Sequence, residues 1–177
     1  MQPSSQSDSG SSVGAAETTK AEDDGVAAAL GRIPSGLFVV TWRVGEQDRA
    51  MLASWVMQAG FAPAQVSIAV APSRDLLATL QSGAPCVINV LADAQRPLVG
   101  RFGKPAVAGE DPFSGLEVRR TPRGLAALAE AAAWLECDLV SRADHGDHVV
   151  VVARVSAAGG STDRQPLVHL RRNGLRY

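Results

Sequence analysis

The chain has 177 residues, of which 46% are hydrophobic and 20% are charged, and its formal net charge is −1. A chain of this length and composition can fold as one globular domain with a real core. The sequence has neither an apolar run long enough to span a membrane nor a dense basic stripe with interleaved aromatic residues. It therefore matches neither a membrane-spanning protein nor a nucleic-acid-binding protein.

The first 24 residues differ in composition from the rest. They carry five acidic residues and one lysine, which leaves 13 acidic and 16 basic residues in the remainder, a balance that suits an anionic ligand such as a nucleotide. Six serines and few large apolar side chains predict that residues 1–25 form a disordered tail and residues 26–177 the folded domain. The stretch lacks the features of a secretory signal, and the isolated Cys86 and Cys137 predict buried free thiols, so we expect a cytoplasmic protein.

Short strands and brief helices alternate along the domain. The β-branched and aromatic runs predict strands, and glycines and prolines mark the turns between them. In chain order we predict a helix at Val26–Leu30 and then strands at Leu37–Arg43, Arg49–Gln58 and Val66–Ala71. An apolar face of leucines predicts the next helix, which has Ser73 as its N-cap and ends at Gly83.

The second half of the domain is also built of short elements. We predict a buried strand at Cys86–Leu91, a short helix at Gln95–Phe102, a surface loop at Gly103–Gly115 and an edge strand at Glu117–Arg120. Ala126–Leu135 has helix propensity but runs into a segment that suits a strand, so we expect a short turn or helical piece and then a strand at Ala133–Ser141. The last predicted elements are a polar turn at Arg142–Asp147, an apolar strand at His148–Ser156 and a strand at Leu167–Arg171. The fold class is therefore mainly β, a closed or split β-barrel with a few short helices.

Arg49–Phe61 begins like a strand and ends in small, polar and aromatic residues. Ser54 offers a hydroxyl, Trp55 offers a flat apolar face, and Ala53 and Gly60 allow another molecule to approach the backbone. The segment suits the rim of a slot for a planar ring system such as a flavin. The alternative is a half-buried strand that leads into a loop.

A second candidate site lies where the helix after Ser73 begins. A helix N-terminus has unpaired N–H groups and a partial positive charge, and the guanidinium of Arg74 adds donors that match phosphate oxygens. Ser73 and Arg74 therefore form a candidate phosphate clamp; alternatively, Ser73 only caps the helix and Arg74 only faces water. Asn89, in the middle of a buried strand, must bond either the backbone or a ligand.

Motifs for several other chemistries are missing from the sequence. There is no GxGxxG motif after a strand, no Walker loop and no HExxH motif, so neither a Rossmann site nor a P-loop is supported. His145 and His148 are close in sequence but have no third ligand, so no metal site is expected.

Six segments occur in the order found in a known family. They are Gly31-Arg-Ile-Pro-Ser-Gly-Leu-Phe38, Met51-Leu-Ala-Ser-Trp-Val56, Ser73-Arg-Asp75, Val87-Ile-Asn-Val-Leu91, Trp134-Leu-Glu-Cys137 and Gly146-Asp-His148. In this order they resemble the flavin reductase-like family with the FMN-binding split barrel, and most closely the flavin reductase module of cyanobacterial flavodiiron proteins. The resemblance extends from Ala28 to Tyr177.

The resemblance implies a homodimeric split β-barrel of Greek-key type that binds FMN, or alternatively FAD. It places the ring system of the flavin against Met51–Trp55 and its phosphate near Ser73 and Arg74, with Gln95–Phe102 at its border. His148 lies where such reductases meet the nicotinamide or the flavin edge; alternatively, it is a strand-start histidine that bonds a turn carbonyl. The predicted catalytic residue is thus His148, and the predicted cofactor-binding residues are Met51, Leu52, Ala53, Ser54, Trp55, Gln58, Ser73, Arg74, Asn89 and Phe102.

The implied function is that of an NAD(P)H-dependent flavin reductase. NAD(P)H would pass a hydride to the flavin, and the reduced flavin would pass electrons to an acceptor, such as a flavodiiron protein. The alternative is an FMN-binding electron-relay module that does not react with NAD(P)H. A barrel that has lost flavin and serves only as a dimeric scaffold is a third interpretation.

Overall fold

A computed structural model of the chain describes residues 23–105, 107 and 109–175. The backbone divides into two compact units, one that includes residues 23–34 and 170–175 and one that comprises Ser35–His169. Most of the predicted tail, residues 1–22, lies outside the described residues. Its last three residues, 23–25, are helical. None of the described helices is long and apolar enough to cross a membrane.

The first unit is a helix with the end of the described chain packed on it. Helix α1 covers residues 23–31. Gly174 donates its N–H to the carbonyl of Ala27 over 2.7 Å. A side chain at Gly174 would collide with Leu30, so the absence of a side chain lets the terminal segment lie directly on the helix.

The second unit consists mainly of short strands. The strands are β1 Ser35–Gly36, β2 Phe38–Val44, β3 Gln47–Ala53, β4 Val56–Phe61, β5 Ala64–Val70, β6 Cys86–Val90, β7 Val118–Arg120, β8 Ala126–Leu128, β9 Ala133–His145, β10 His148–Gly160 and β11 Val168–His169. The helices are α2 Asp75–Gln81 and α3 Leu98–Phe102, with a single 3-10 turn at Asp93–Gln95 before α3. The predicted helix at Gln95–Phe102 is thus the end of this turn followed by a shorter helix.

Seven of these strands form one antiparallel sheet in the order β3-β2-β6-β9-β10-β5-β4. The two edge strands, β3 and β4, are consecutive in the chain and are joined by the dipeptide Ser54-Trp55. Three Cα steps span at most about 11 Å, so the two edges of the sheet must approach each other at this point. The sheet therefore curls into a barrel that is split between β3 and β4, and the predicted fold class is confirmed.

Side chains that alternate along the strands fill the barrel. Val40, Ile68 and Ile88 are completely buried in one apolar cluster, and the leucines of α2 pack into it. Cys86 and Cys137 face each other across β6 and β9 in the same cluster, where both are free and fully buried, as predicted. A second cluster connects the other face of β2 and β3 with α3 and β8.

Two predictions at the strand ends are wrong for the same reason. The connections between these strands are shorter than the composition of the sequence suggests. The predicted strand Arg49–Gln58 is two strands, because the chain leaves one edge of the sheet after Ala53 and joins the other at Val56. The predicted turn Arg142–Asp147 is mostly strand. In fact β9 continues to His145, and the turn consists of Gly146 and Asp147, with Gly146 at a φ of +60°.

The alanine-rich segment departs furthest from its intrinsic propensity. Ala126–Leu128 is a strand that pairs with β7, although alanine favours a helix. Thr41 donates its hydroxyl to the carbonyl of Ala126 over 2.5 Å, and the N–H of Leu128 donates to the side-chain oxygen of Asn89 over 2.8 Å. Because the alanine side chains are small, the segment can lie close to the barrel, where these buried hydrogen bonds outweigh helix propensity.

Candidate functional site

The dipeptide that joins the two edges of the barrel forms the first part of the candidate site. Ser54 and Trp55 are half-buried and belong to no strand. The carbonyl of Trp55 accepts a hydrogen bond from the N–H of Ala69 over 3.0 Å, which ties the link to β5. A hydroxyl and an indole ring therefore lie at the rim of the split, where the ladder of the sheet is interrupted.

His148 lies next to Trp55, although the two residues are far apart in sequence. Their ring centroids are 4.7 Å apart and their planes are tilted by 56°. The sheet register explains the contact, because Val149 lies opposite Val70 at the end of β5, one residue beyond the Ala69 that bonds Trp55. The start of β10 and the link between β3 and β4 therefore meet at one end of the barrel.

The turn before β10 supplies a carboxylate to this histidine. Nδ1 of His148 lies 2.9 Å from Oδ1 of Asp147, and 13% of the histidine side chain is exposed. The hydrogen bond from His148 holds the pKa of Asp147 below its ordinary value. The carboxylate thus helps to set the orientation of the imidazole ring.

Ser73 and Arg74 follow β5 closely and are both exposed. The N-cap of α2 is Arg74 rather than Ser73, and no side chain caps the helix, so the predicted cap is wrong. The physical reason is a turn in which the N–H of Arg74 bonds the carbonyl of Ala71 over 3.0 Å and delays the start of the helix. Because both residues lie just beyond the end of β5, they are at the same end of the barrel as Trp55 and His148.

The other predicted residues of β3 and β4 differ in accessibility. Met51 and Ala53 face the barrel core, with 5% and 9% of their surface exposed, so a ligand can reach them mainly through their backbone. Leu52 is half-buried and faces α3. Gln58 is exposed on the edge strand β4, and its amide nitrogen lies 3.5 Å from the carbonyl of Gly60.

The side chain of Asn89, a predicted cofactor-binding residue, lies in the interior of the protein and bonds the backbone. Its side chain is completely buried. Nδ2 donates to the carbonyl of Val39 over 2.9 Å, and Oδ1 accepts from the N–H of Leu128 over 2.8 Å. Of the two kinds of partner that a buried amide could take, the structure shows the backbone.

Phe102 lies at a separate cavity. It is buried, and its ring centroid is 6.1 Å from that of Phe113. The cavity has a volume of about 400 Å³ and is lined by Asp48, Arg49, Ala50, Gly100, Arg101, Phe102, Lys104, Pro105, Val107, Glu110, Asp111 and Pro112. Sequence reasoning did not predict this cavity, because nothing in the spacing of Arg49, Arg101 and Lys104 indicates that β3 and α3 are neighbours.

The structure thus brings Ser54, Trp55, Ser73, Arg74 and His148 to one end of the barrel. An aromatic face, an imidazole, two hydroxyls and an exposed guanidinium can together hold a planar ligand with an anionic tail. Across the part of the chain that the structure describes, no group of three or more His, Cys, Asp or Glu side chains could hold a metal ion.

The chain matches the family model of the flavin reductase like domain over residues 30–175. It is 37% identical over 164 residues to diflavin flavoprotein A 1 of Synechocystis sp., and the match covers 89% of this chain and 28% of that relative. The chain spans about a quarter of the length of the curated relatives it matches.

Solved structures share the fold. The NADH:FAD oxidoreductase SgcE6 of Streptomyces globisporus, in complex with NAD and FAD fragments, has a TM-score of 0.74 at 25% identity, over 84% of this chain and 87% of that chain. The styrene monooxygenase flavin reductase of Pseudomonas putida has a TM-score of 0.71 at 24% identity, over 82% of this chain and 91% of that chain. The family match over residues 30–175 and the identity to the curated relatives show that this chain belongs to the flavin reductase-like domain family.

Proposed function

We propose that this chain is an NAD(P)H-dependent flavin reductase that binds FMN at the split of the barrel, beside Trp55 and His148. The observation that carries the proposal is the contact between these two rings, 4.7 Å between centroids, at the end of the barrel where Arg74 is exposed. A flavin, when bound, supplies hydride and electron transfer. The contribution of the chain is to bind and orient the reactants and to exclude water.

Arg74 and Ser73 are proposed to bind the phosphate of the flavin. Among the described residues, the side chain of Arg74 has no ion-pair partner, so its donors are available to a phosphate. Ser73 is exposed next to it and, since it does not cap α2, its hydroxyl is not used by the helix. A guanidinium and a hydroxyl in adjacent positions suit phosphate oxygens.

Ser54, Trp55 and His148 are proposed to hold the ring system. Trp55 offers an apolar face, and the interrupted ladder at Ser54 leaves backbone groups where a polar ring edge can bond them. His148, oriented by Asp147, lies against Trp55 and is proposed to contact the nicotinamide or the edge of the flavin.

The proposal also includes the nicotinamide coenzyme and a second copy of the chain. The structure of SgcE6, which shares this fold, is a complex with NAD and FAD fragments, and this supports a nicotinamide coenzyme. A homodimer is supported by the edge strand β4, where 67% of Met57 and 90% of Phe61 are exposed, because a second copy would cover this apolar surface. The two buried thiols suit a reducing compartment such as the cytoplasm.

A second candidate function is an electron-relay module that holds FMN but does not react with NAD(P)H. The observation that favours it is the length of the relatives, since the chain covers only 28% of diflavin flavoprotein A 1. In a longer protein of that kind, a module like this one can receive electrons from elsewhere. A partner such as a flavodiiron protein would then either donate electrons to the bound FMN or accept electrons from it.

Anaerobic reduction distinguishes the two functions. We expect the protein with added FMN to lose its flavin absorbance when NADPH or NADH is added without oxygen, and to oxidise the coenzyme continuously in air. A protein that binds FMN but is not bleached by either coenzyme supports the relay. A protein that binds no FMN contradicts both functions.

A further inference from the structure

The cavity between β3 and α3 shares no lining residue with the corner of the barrel that holds Trp55 and His148. Its volume is about 400 Å³, within the usual range for small-molecule sites. Its lining comes from three segments, which are the start of β3, the end of α3 with the residues that follow it, and the loop at Glu110–Pro112. The cavity is therefore a second place where a small ligand can bind.

The charges that line this cavity balance one another. Three are cations and three are carboxylates, namely Arg49, Arg101, Lys104, Asp48, Glu110 and Asp111. Arg49 shares the core-side face of β3 with Met51, so we assign it no part in the cavity. The carboxylate of Asp48 is already bound by Arg120 over 2.7 Å and by Arg43 over 3.3 Å. Two cations and two carboxylates are left for a ligand.

These four side chains lie on two different segments of the lining. Arg101 and Lys104 belong to α3 and its end, and Glu110 and Asp111 belong to the loop. Within the described part of the chain, none of the four forms an ion pair, although their opposite charges border the same cavity. A ligand with one charge of each sign can bond both segments, whereas a ligand with a single charge would leave one pair of side chains without a partner.

The loop that carries the two carboxylates is attached to the core. Oδ1 of Asp111 accepts a hydrogen bond from the N–H of Phe113 over 2.9 Å. Phe113 is buried, and its ring centroid lies 6.1 Å from that of Phe102 in α3. Both phenylalanines belong to one apolar cluster, against which Val99 of α3 also packs. The carboxylates and the cations are therefore held on the same piece of core, on either side of the aromatic pair.

The rest of the lining is mostly apolar. It includes Ala50, Gly100, Phe102, Pro105, Val107 and Pro112. Val107 is 59% exposed, so an apolar group in the cavity would remove its side chain from water. The lining thus suits a ligand with an apolar body and two opposite charges.

We propose that this cavity binds an α-amino acid with an apolar side chain, in its zwitterionic form. The carboxylate of the amino acid bonds Arg101 and Lys104, and its ammonium group bonds Glu110 and Asp111. The inference goes beyond the proposed function and does not depend on it. Because the four charged side chains are exposed, water screens these contacts, and we expect a dissociation constant of roughly 0.1–1 mM.

The direct test is titration calorimetry of the full chain with three related compounds. The probe is L-phenylalanine; 3-phenylpropionate lacks its ammonium group, and 2-phenylethylamine lacks its carboxylate. We expect L-phenylalanine to bind about tenfold more tightly than either analogue, because each analogue loses the charge-assisted hydrogen bonds of one end. Equal binding of all three compounds, or no binding of L-phenylalanine up to roughly 20 mM, overturns the inference.

A double variant tests the carboxylates separately from the fold. Glu110→Gln with Asp111→Asn removes both charges and keeps an acceptor oxygen for the N–H of Phe113, so we expect it to fold. It should bind L-phenylalanine about tenfold more weakly and 3-phenylpropionate at least as tightly as the unmodified chain does. Glu117→Gln, which removes an exposed carboxylate outside the lining, is the matched control and should change neither affinity. Equal weakening of both compounds in the double variant overturns the inference.

A competition titration separates this cavity from the proposed flavin site. We expect saturating FMN to leave the affinity for L-phenylalanine unchanged. Loss of that affinity in the presence of FMN overturns the inference and assigns the cavity to the flavin. Failure of the proposed function is recognised separately, because the titrations of the three compounds contain neither a flavin nor a hydride donor.

Discussion

The carboxylate of Glu136 is almost completely buried and is held by one arginine. Nε of Arg123 donates to Oε1 of Glu136 over 2.6 Å, and Nη1 of the same guanidinium bonds Asp138 over 2.8 Å. Burial alone would raise the pKa of Glu136, but hydrogen bonds from Thr121 and Arg123 outweigh burial and lower it. The network ties the turn that contains Arg123 to β9.

Replacing Arg123 with alanine leaves this buried carboxylate without its main partner. We expect the free energy of unfolding to fall by about 2–3 kcal/mol at neutral pH, somewhat less than for a fully buried pair because Arg123 is partly exposed. Since the folded-state pKa of Glu136 is lowered, its contribution is present above the unfolded pKa of about 4.3 and is lost as the pH falls through the folded value.

Urea unfolding at a series of pH values measures this effect. The difference between the unmodified protein and the Arg123→Ala variant should shrink as the pH falls below about 4. Arg154→Ala, at an exposed position of β10, is the control and should change stability by no more than about 0.5 kcal/mol. A difference that stays constant with pH would show that Arg123 acts through packing and not through the carboxylate.

The burial of a single residue could be predicted from sequence where it depends on that side chain and on its neighbours in the chain. Cys86 and Cys137 are buried because they lie in apolar runs, and this was readable from the chain. Asn89 could be recognised as a buried amide in need of partners, but the identity of those partners could not, because Leu128 reaches it through tertiary structure alone. Ser73 has the composition of a cap, yet the turn at Ala71 places the helix start one residue later.

The long hairpin of β9 and β10 depends on one close approach between a glycine and an aromatic ring. Trp134 of β9 lies opposite Gly159 of β10. A Cβ built on Gly159 would lie 2.7 Å from Nε1 of the indole and 2.8 Å from Cε2 and Cζ2. The indole therefore packs where a side chain at Gly159 would otherwise be.

Gly159→Ala should destabilise the protein, although alanine ordinarily stabilises a strand relative to glycine. We expect a loss of about 1–3 kcal/mol, because the ring or the strand must move to admit the methyl group. Gly100→Ala is the matched control, since nothing lies within 4 Å of a Cβ built there, and it should be neutral or stabilise α3 by up to about 1 kcal/mol. Thermal unfolding of both variants decides the point; an unchanged melting temperature for Gly159→Ala would contradict it.

Helices and strands could be predicted where the hydrophobic periodicity is strong. The predictions failed where tertiary contacts override the intrinsic propensity of the residues. The valine run of β10 was recognised as a strand, and the leucine face of α2 as a helix. The alanines of β8 favour a helix, but buried hydrogen bonds hold them in a strand. The break between β3 and β4 has no marker in composition, because Ser54 and Trp55 resemble ordinary strand residues and only the closure of the barrel separates them.

For the whole molecule, the order of strands determines where a ligand can bind. Because the two edges of a seven-stranded sheet meet at Ser54-Trp55, the barrel has one interrupted corner, and the ends of β5 and the start of β10 lie beside it. The sequence could indicate which types of residue lie at this corner. Only the family resemblance implied that these residues come together in the fold. The cavity between β3 and α3 could not be inferred from sequence, because its cations come from segments that are far apart in the chain.

The central claim is that a flavin lies at this corner with its phosphate at Arg74. The most direct measurement is a titration of the protein with FMN and with riboflavin, followed by flavin fluorescence, for the unmodified chain, Arg74→Ala and the control Arg154→Ala. Loss of one or two charge-assisted hydrogen bonds, about 1.5–3 kcal/mol each, should weaken FMN binding in Arg74→Ala by roughly 10-fold or more. Riboflavin, which has no phosphate, should bind to Arg74→Ala as it does to the unmodified chain. Equal weakening of both ligands, or no change in FMN binding, would contradict the claim.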